Sequence, residues 1–253
     1  MKKKFLVMAA FCTVLTAFTS CLNDDDDSLP VYYDYFTITQ HGDGYVLYSD
    51  NDNVVVYPTA TSVATVTAGK GFADNKRVEL YMEYNPEYLT TEGEKKVLRN
   101  AELKGGNYIR TLSLKSRTEA EAENLCVDDS IFSIESLDRV WARNGYLNTK
   151  VTGCYSGNNK GGIRPTVNLM LEYDADVENA ASIRLLYNRH STKDCYTMGR
   201  TQFLTSYDAS LLLEVPGSDS ISLKVYTDSL NAKSLKIARK DLLHPAAPGT
   251  AEP

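Results

Sequence analysis

From Val31 onward the chain alternates. In Arg77 to Tyr84, Val78, Leu80, Met82 and Tyr84 point one way while Arg77, Glu79, Tyr81 and Glu83 point the other, the period of two that marks a strand with one face in a core. The same alternation returns in Val167, Leu169, Leu171 and Tyr173, in Ile183, Leu185 and Tyr187, and in Ile221, Leu223 and Val225. The pattern predicts strands near 31–40, 44–49, 53–57, 77–85 and 107–116, parted by turn residues such as His41-Gly42-Asp43-Gly44. Five strands of this kind suggest a small barrel. A second set near 135–142, 145–155, 164–173, 181–189, 200–214, 219–227 and 233–239 suggests a two-sheet sandwich. Thr118-Glu119-Ala120-Glu121 fits a capping box and predicts a short helix over 119–125. The expected fold is therefore all-β: a five-stranded barrel over 30–117, a linker over 118–134, and a seven-stranded β-sandwich over 135–240. Pro245, Pro248 and Gly249 exclude a strand at the end, so 241–253 reads as a disordered tail.

The N-terminus follows a different pattern. Lys2, Lys3 and Lys4 precede an apolar run from Phe5 to Phe18, which is followed by Thr19-Ser20-Cys21. That is the layout of a secretory signal peptide over 1–20, and it is shorter than the about 20 apolar residues a membrane-spanning helix needs. The small residues before Cys21 resemble a bacterial lipobox, which makes Cys21 a site of acylation and thus of membrane attachment. Several acyl chains on one residue give the additive burial that stable anchoring requires. Asp24, Asp25, Asp26 and Asp27 follow at once; four adjacent carboxylates repel one another and cannot join a core, so 21–29 reads as a solvated tether. The run also resembles the acidic export signal that Bacteroidota place behind the lipidated cysteine of surface lipoproteins. The expected location is the outer membrane, lipid-anchored and facing the exterior.

Charge and composition narrow the rest. The 253 residues carry a net charge of −6, which disfavours nucleic acid as a partner. Against that background, 95–117 holds Lys95, Lys96, Arg99, Lys104, Arg110, Lys115 and Arg117 with the single acid Glu102. This segment is a candidate basic patch for lipopolysaccharide or an acidic partner, or a set of residues that pairs with acids elsewhere. An exported chain can form disulfides, and Cys154 with Cys195 is the candidate pair. No cysteine and histidine spacing suits a metal, and no cofactor motif is present. Gly153-Cys154-Tyr155-Ser156-Gly157 has the wrong spacing for a hydrolase elbow, and Asp50-Asn51-Asp52-Asn53 reads as a hairpin turn rather than a calcium loop. His190 with Cys195 lacks an orienting group, His41 and His244 read as solvent residues, and the lone Trp141 reads as core. No catalytic residue is nominated.

Several short segments then carry a resemblance. Val140-Trp141, Gly145-Tyr146-Leu147-Asn148, Val167-Asn168-Leu169, Asn188-Arg189-His190, Thr205-Ser206-Tyr207-Asp208 and Ser222-Leu223-Lys224-Val225 occur in the order of successive strands of the NigD-like lipoproteins. The resemblance implies an OB-like N-terminal barrel and a C-terminal sandwich, with a suggested bacteriocin-immunity association but no catalytic residues to carry over. The expected function is a non-enzymatic surface lipoprotein that binds a protein or envelope partner. The alternative is an accessory glycan binder using tyrosine faces of the barrel, since OB folds bind oligosaccharides.

Overall fold

The computed structural model describes residues 28–73, 76–123, 125, 134–155, 166–188, 199–227 and 232–246. Strands β1 (Val31–His41), β2 (Gly44–Ser49) and β3 (Val54–Pro58) form an antiparallel meander, and β4 (Arg77–Glu83) pairs with the far side of β1. Between β3 and β4 lies helix α1 (Ala60–Val66), whose first turn is capped by the Thr59 hydroxyl accepting from the Ser62 amide. After β5 (Leu89–Glu92) comes the long β6 (Lys95–Tyr108), which pairs antiparallel with β4 and parallel with β3. The order β3-β2-β1-β4-β6 therefore closes on itself, giving a five-stranded barrel with the OB arrangement. Phe36, Ile38, Leu47, Val56, Leu80, Met82 and Leu98 fill it.

The expected fifth strand at 107–116 is corrected here. The closing strand is β6, and its alternation was hidden because it carries two bulges: Asn100 is skipped opposite β3 and Lys104 opposite β4. Asn100 takes a positive φ of 54°, which asparagine tolerates.

On leaving the barrel the chain adds one short strand to each sheet of the sandwich, β7 (Arg110–Ser113) beside Gly199–Asp208 and β8 (Lys115–Ser116) beside Thr166–Glu172. The later strands are β9 (Ile134–Arg143), β10 (Tyr146–Tyr155), β11 (Thr166–Glu172), β12 (Ala180–Asn188), β13 (Gly199–Asp208), β14 (Ser220–Tyr226) and β15 (Ala232–Ala238). They form sheets β7-β13-β10-β9 and β15-β14-β12-β11-β8, so among the described residues the sandwich has nine strands rather than seven. Leu147, Val151, Leu169, Ile183, Leu185, Tyr207 and Leu223 pack between the sheets. Helix α2 (Arg117–Ala122) begins two residues earlier than expected, because Ser116 and Glu119 form the capping box. Residues 210–214, expected to extend a strand, form a 3-10 turn. The segment 241–246 is no free tail: Leu242 is buried in the sandwich core, and Asp241 pairs with Arg143 at 2.9 Å. Residues 247–253 lie outside the described set.

Candidate functional site

The outward face of β4 does two jobs along its length. At one end Arg77 is fully buried, because that end runs beneath the β9–β10 hairpin of the sandwich. Its guanidinium donates to the Thr37 hydroxyl at 2.7 Å, to both carboxylate oxygens of Asp50, and to the Asn148 side-chain oxygen at 3.2 Å. Asp50 also accepts from the Trp141 indole N–H at 2.8 Å and from Asn144 Nδ2 at 3.3 Å. A buried pair of this kind is tolerable only when every donor and acceptor is met, and here the sandwich supplies four of the partners, Asn148 and Ser206 to Arg77 and Trp141 and Asn144 to Asp50. The turn after β2 is held by a second buried carboxylate. Asp34 accepts from the hydroxyls of Tyr32 and Ser49 and from the backbone and side chain of Asn51. The sequence did read Asp50-Asn51-Asp52-Asn53 as a turn. It gave no sign that Asp50 would be a buried partner of Arg77, since such a pairing is set by contact between distant strands.

Further along β4 the same outward face emerges into solvent. Glu79 and Tyr81 stand beside Tyr35 and Tyr33 of β1, with Tyr33 directly opposite Tyr81. The ring of Tyr35 lies 5.6 Å from that of Trp141 at a tilt of 34°, and Tyr33 lies 6.1 Å beyond it. Arg139 places its guanidinium 4.6 Å over Trp141, and the Tyr33 hydroxyl donates to Glu79. Tyr33 and Tyr81 are 53% and 45% exposed. Tyr81 lies over the backbone of Gly105, where a Cβ would meet its ring at 2.7 Å. Trp141, read as core, is thus half-buried at the end of an aromatic stripe that runs from barrel to sandwich.

The outer face of β2 and β3 is closed. Val46, Tyr48 and Val55 on the outside of β2 and β3 are buried, and the Tyr48 hydroxyl donates to the Ala246 carbonyl at 3.0 Å. Burial, with Tyr57 alongside, pushes the Tyr48 hydroxyl up to about 12. His244, expected in solvent, packs edge-on against Tyr146 and lies 3.3 Å from Asp208. An open groove of about 610 Å3 lies on the outer face of the five-stranded sheet, lined by Tyr173, Ser182, Ser222, Lys224 and Tyr226 among others.

The residues of the expected basic patch are distributed over three places: Lys95, Lys96, Arg99 and Lys104 on β6, Arg110 on β7, and Lys115 and Arg117 at β8 and α2. Four of them form ion pairs: Arg99 with Glu92, Lys104 with Glu83, Lys115 with Glu123, and Arg117 with Glu121 and Glu172. Lys95 and Arg99 also lie over the rings of Tyr48 and Tyr57. Arg99, Lys104, Lys115 and Arg117 are thus met in space by nearby glutamates. Cys21, Asp24 to Asp27, His190 and Cys195 lie outside the described residues, and Cys154 is placed near the end of β10. Among the described residues no group of His, Cys, Asp and Glu is arranged to hold a metal.

No protein-family model matches the sequence, and no curated protein is significantly similar to it. Solved structures are similar. A provisionally toxin-related protein from Parabacteroides distasonis ATCC 8503 aligns with 83% of this chain and 95% of its own, at 16% identity and a TM-score of 0.54. A provisionally assigned lipoprotein from Bacteroides fragilis NCTC 9343 aligns with 82% of this chain and 97% of its own, at 12% identity and 0.50. A NigD-like immunity protein from Bacteroides caccae ATCC 43185 covers 84% and 93% at 13% identity, with a TM-score of 0.48. The likeness is one of fold: the all-β barrel followed by a sandwich is shared with proteins of Parabacteroides and Bacteroides.

Proposed function

We propose that this protein is a lipid-anchored envelope lipoprotein that works by binding rather than by catalysis, displayed on the outer surface of the outer membrane. The observation that carries this reading is the order of features along the chain. A short apolar leader ends at Cys21, four aspartates follow, and the folded body begins at Val31. Nine residues between the cysteine and β1, extended at about 3.3–3.6 Å each, hold the body within roughly 30 Å of the lipid surface. The fold shared with a provisionally assigned lipoprotein supports the same reading. The buried ionic groups Arg77 and Asp50 are spent on one another and on neighbouring side chains, which makes them a clasp and not a reactive centre.

The test is acylation. Replacing Cys21 with Ala should abolish incorporation of labelled palmitate and move the protein out of the membrane fraction. A Cys21→Ala chain that stays in the membrane fraction and still takes up palmitate would overturn the reading.

A further inference from the structure

We infer that the aromatic stripe formed by Tyr33, Tyr35, Tyr81 and Trp141 is a binding platform for a neutral oligosaccharide chain. The inference rests on the reading of this protein as a binding lipoprotein and names its ligand class.

Three observations converge on it. First, aromatic rings normally bury their faces, yet Tyr33 and Tyr81 expose about half of their surface side by side on adjacent strands. Gly105 allows the Tyr81 ring to lie down on the sheet, so that one ring face is spent on the backbone while the other is turned outward. The pairing of an aromatic with a cross-strand glycine also protects the strand, but that role needs only Tyr81 and does not account for the rings that continue through Tyr33 and Tyr35 to Trp141. Second, the groups beside the rings suit hydroxyls. Glu79 accepts from Tyr33, and Arg139 holds its guanidinium over the indole while donating to Asn51 at 3.2 Å. Ring faces for C–H surfaces, flanked by a carboxylate and a guanidinium for hydroxyls, are what a sugar presents in complement. Third, the stripe is braced. Trp141 is tied through its N–H to Asp50, which is locked to Arg77, so the far end of the platform is fixed by the buried clasp. A preorganised surface binds with less ordering cost.

The alternative occupant is the membrane, since tyrosine and tryptophan also favour lipid headgroups. Charge does not favour it: Glu79 and Glu83 at the border are balanced by Arg139 and by the Lys104 that pairs with Glu83, so no net positive charge draws anionic lipid to the stripe. The outer face of β2 and β3 is closed by its own buried cluster and the Ala246 contact. Tyr108 is also exposed, but it stands edge-on to Phe72 and is not part of a run that reaches the braced Trp141.

Trp141 is the single tryptophan of the chain, so its emission reports on the stripe directly. The acylated protein in detergent micelles is titrated with amylopectin, yeast mannan and xylan while the emission is followed. A saturable change is expected with at least one of them. Tyr33→Ala and Tyr81→Ala should weaken it about tenfold or more, as removal of a central aromatic contact does. Tyr81→Phe, which keeps the ring, and Lys224→Ala, in the remote groove, should leave it intact. Silence with all three polysaccharides, or binding indifferent to Tyr33 and Tyr81, would overturn the inference. It would equally be overturned if transfer into phosphatidylcholine and phosphatidylglycerol vesicles alone shifted the emission and abolished the response to sugar. None of these results touches the palmitate test, so failure of the ligand assignment and failure of the lipoprotein reading are separable.

Discussion

Arg77 shows how one residue can be read correctly on its own strand and wrongly in the molecule. Its alternation places it with Glu79 and Tyr81 on the polar side of β4, and it is on that side, but there the polar side is roofed by Asn148, Ser206 and Trp141. Because the guanidinium and the Asp50 carboxylate are both buried, removing one strands the other. Asp50→Ala or Arg77→Ala should cost about 3–5 kcal/mol in chemical denaturation, whereas replacing both with apolar residues of similar size should recover much of the loss. A single variant that costs under about 1 kcal/mol, the scale of an exposed pair, would show the clasp to be solvated. The tyrosines give a second prediction. Burial raises the hydroxyls of Tyr32 and Tyr207 above their ordinary value and that of Tyr48 to about 12. A raised folded-state value means the native protein holds the proton more tightly than the unfolded chain. The stability these groups contribute is therefore complete below about 10, the unfolded value, and falls as pH rises toward 12. Tyrosinate absorbance should lag behind that of free tyrosine and then rise together with loss of structure; full ionisation of all tyrosines near 10 in a folded protein would contradict this.

At the scale of elements, strands with an unbroken ladder were legible, and those that break the period were not. β1, β2, β4, β11 and β14 lie within about two residues of the expected bounds, and none of them skips a residue of its own in pairing. β6 escaped because its bulges at Asn100 and Lys104 shift Leu98, Ala101 and Leu103 out of a simple alternation. Helix α1, only seven residues long, was overlooked in a threonine- and valine-rich stretch that favours strands; it is secured by its Thr59 cap and by Val63 in the barrel core. The stripe was half legible: the tyrosines stood in the alternation, but the meeting of Tyr35 with Trp141 joins elements a hundred residues apart. The two overlapping capping patterns before α2 make a sharp prediction. Ser116→Ala removes the hydroxyl that accepts from the Glu119 amide and should lower stability by about 1 kcal/mol, while Thr118→Ala should be near neutral. Glu119 is held below the ordinary carboxylate range, first by the Ser116 amide and then by its hydroxyl. The capping contribution should thus persist above the usual carboxylate value and fade only as pH drops through the lowered one. A larger effect of Thr118→Ala than of Ser116→Ala in thermal denaturation would put the cap at Thr118 instead.

The whole molecule, on the proposed reading, joins a membrane anchor, an acidic tether and a braced pair of β modules. From Val31 onward the chain is one compact unit, and the Arg77 clasp is one reason the barrel and the sandwich do not behave as separate beads. Among the cations of 95–117, Arg99, Lys104, Lys115 and Arg117 are answered by glutamates nearby. On the proposed reading the outward signal lies in the tether. If Cys21 is acylated as proposed, four carboxylates three residues behind it would sit beside an anionic membrane at an electrostatic cost, a cost understandable if the run is read by an export machine. Protease shaving of intact cells tests this most directly, comparing the native chain with one carrying alanine at Asp24, Asp25, Asp26 and Asp27 while both remain acylated. The native protein should be digested from outside and the variant protected; equal digestion of both would reduce the acidic run to a spacer, and protection of both would place the protein on the inner side and contradict the account.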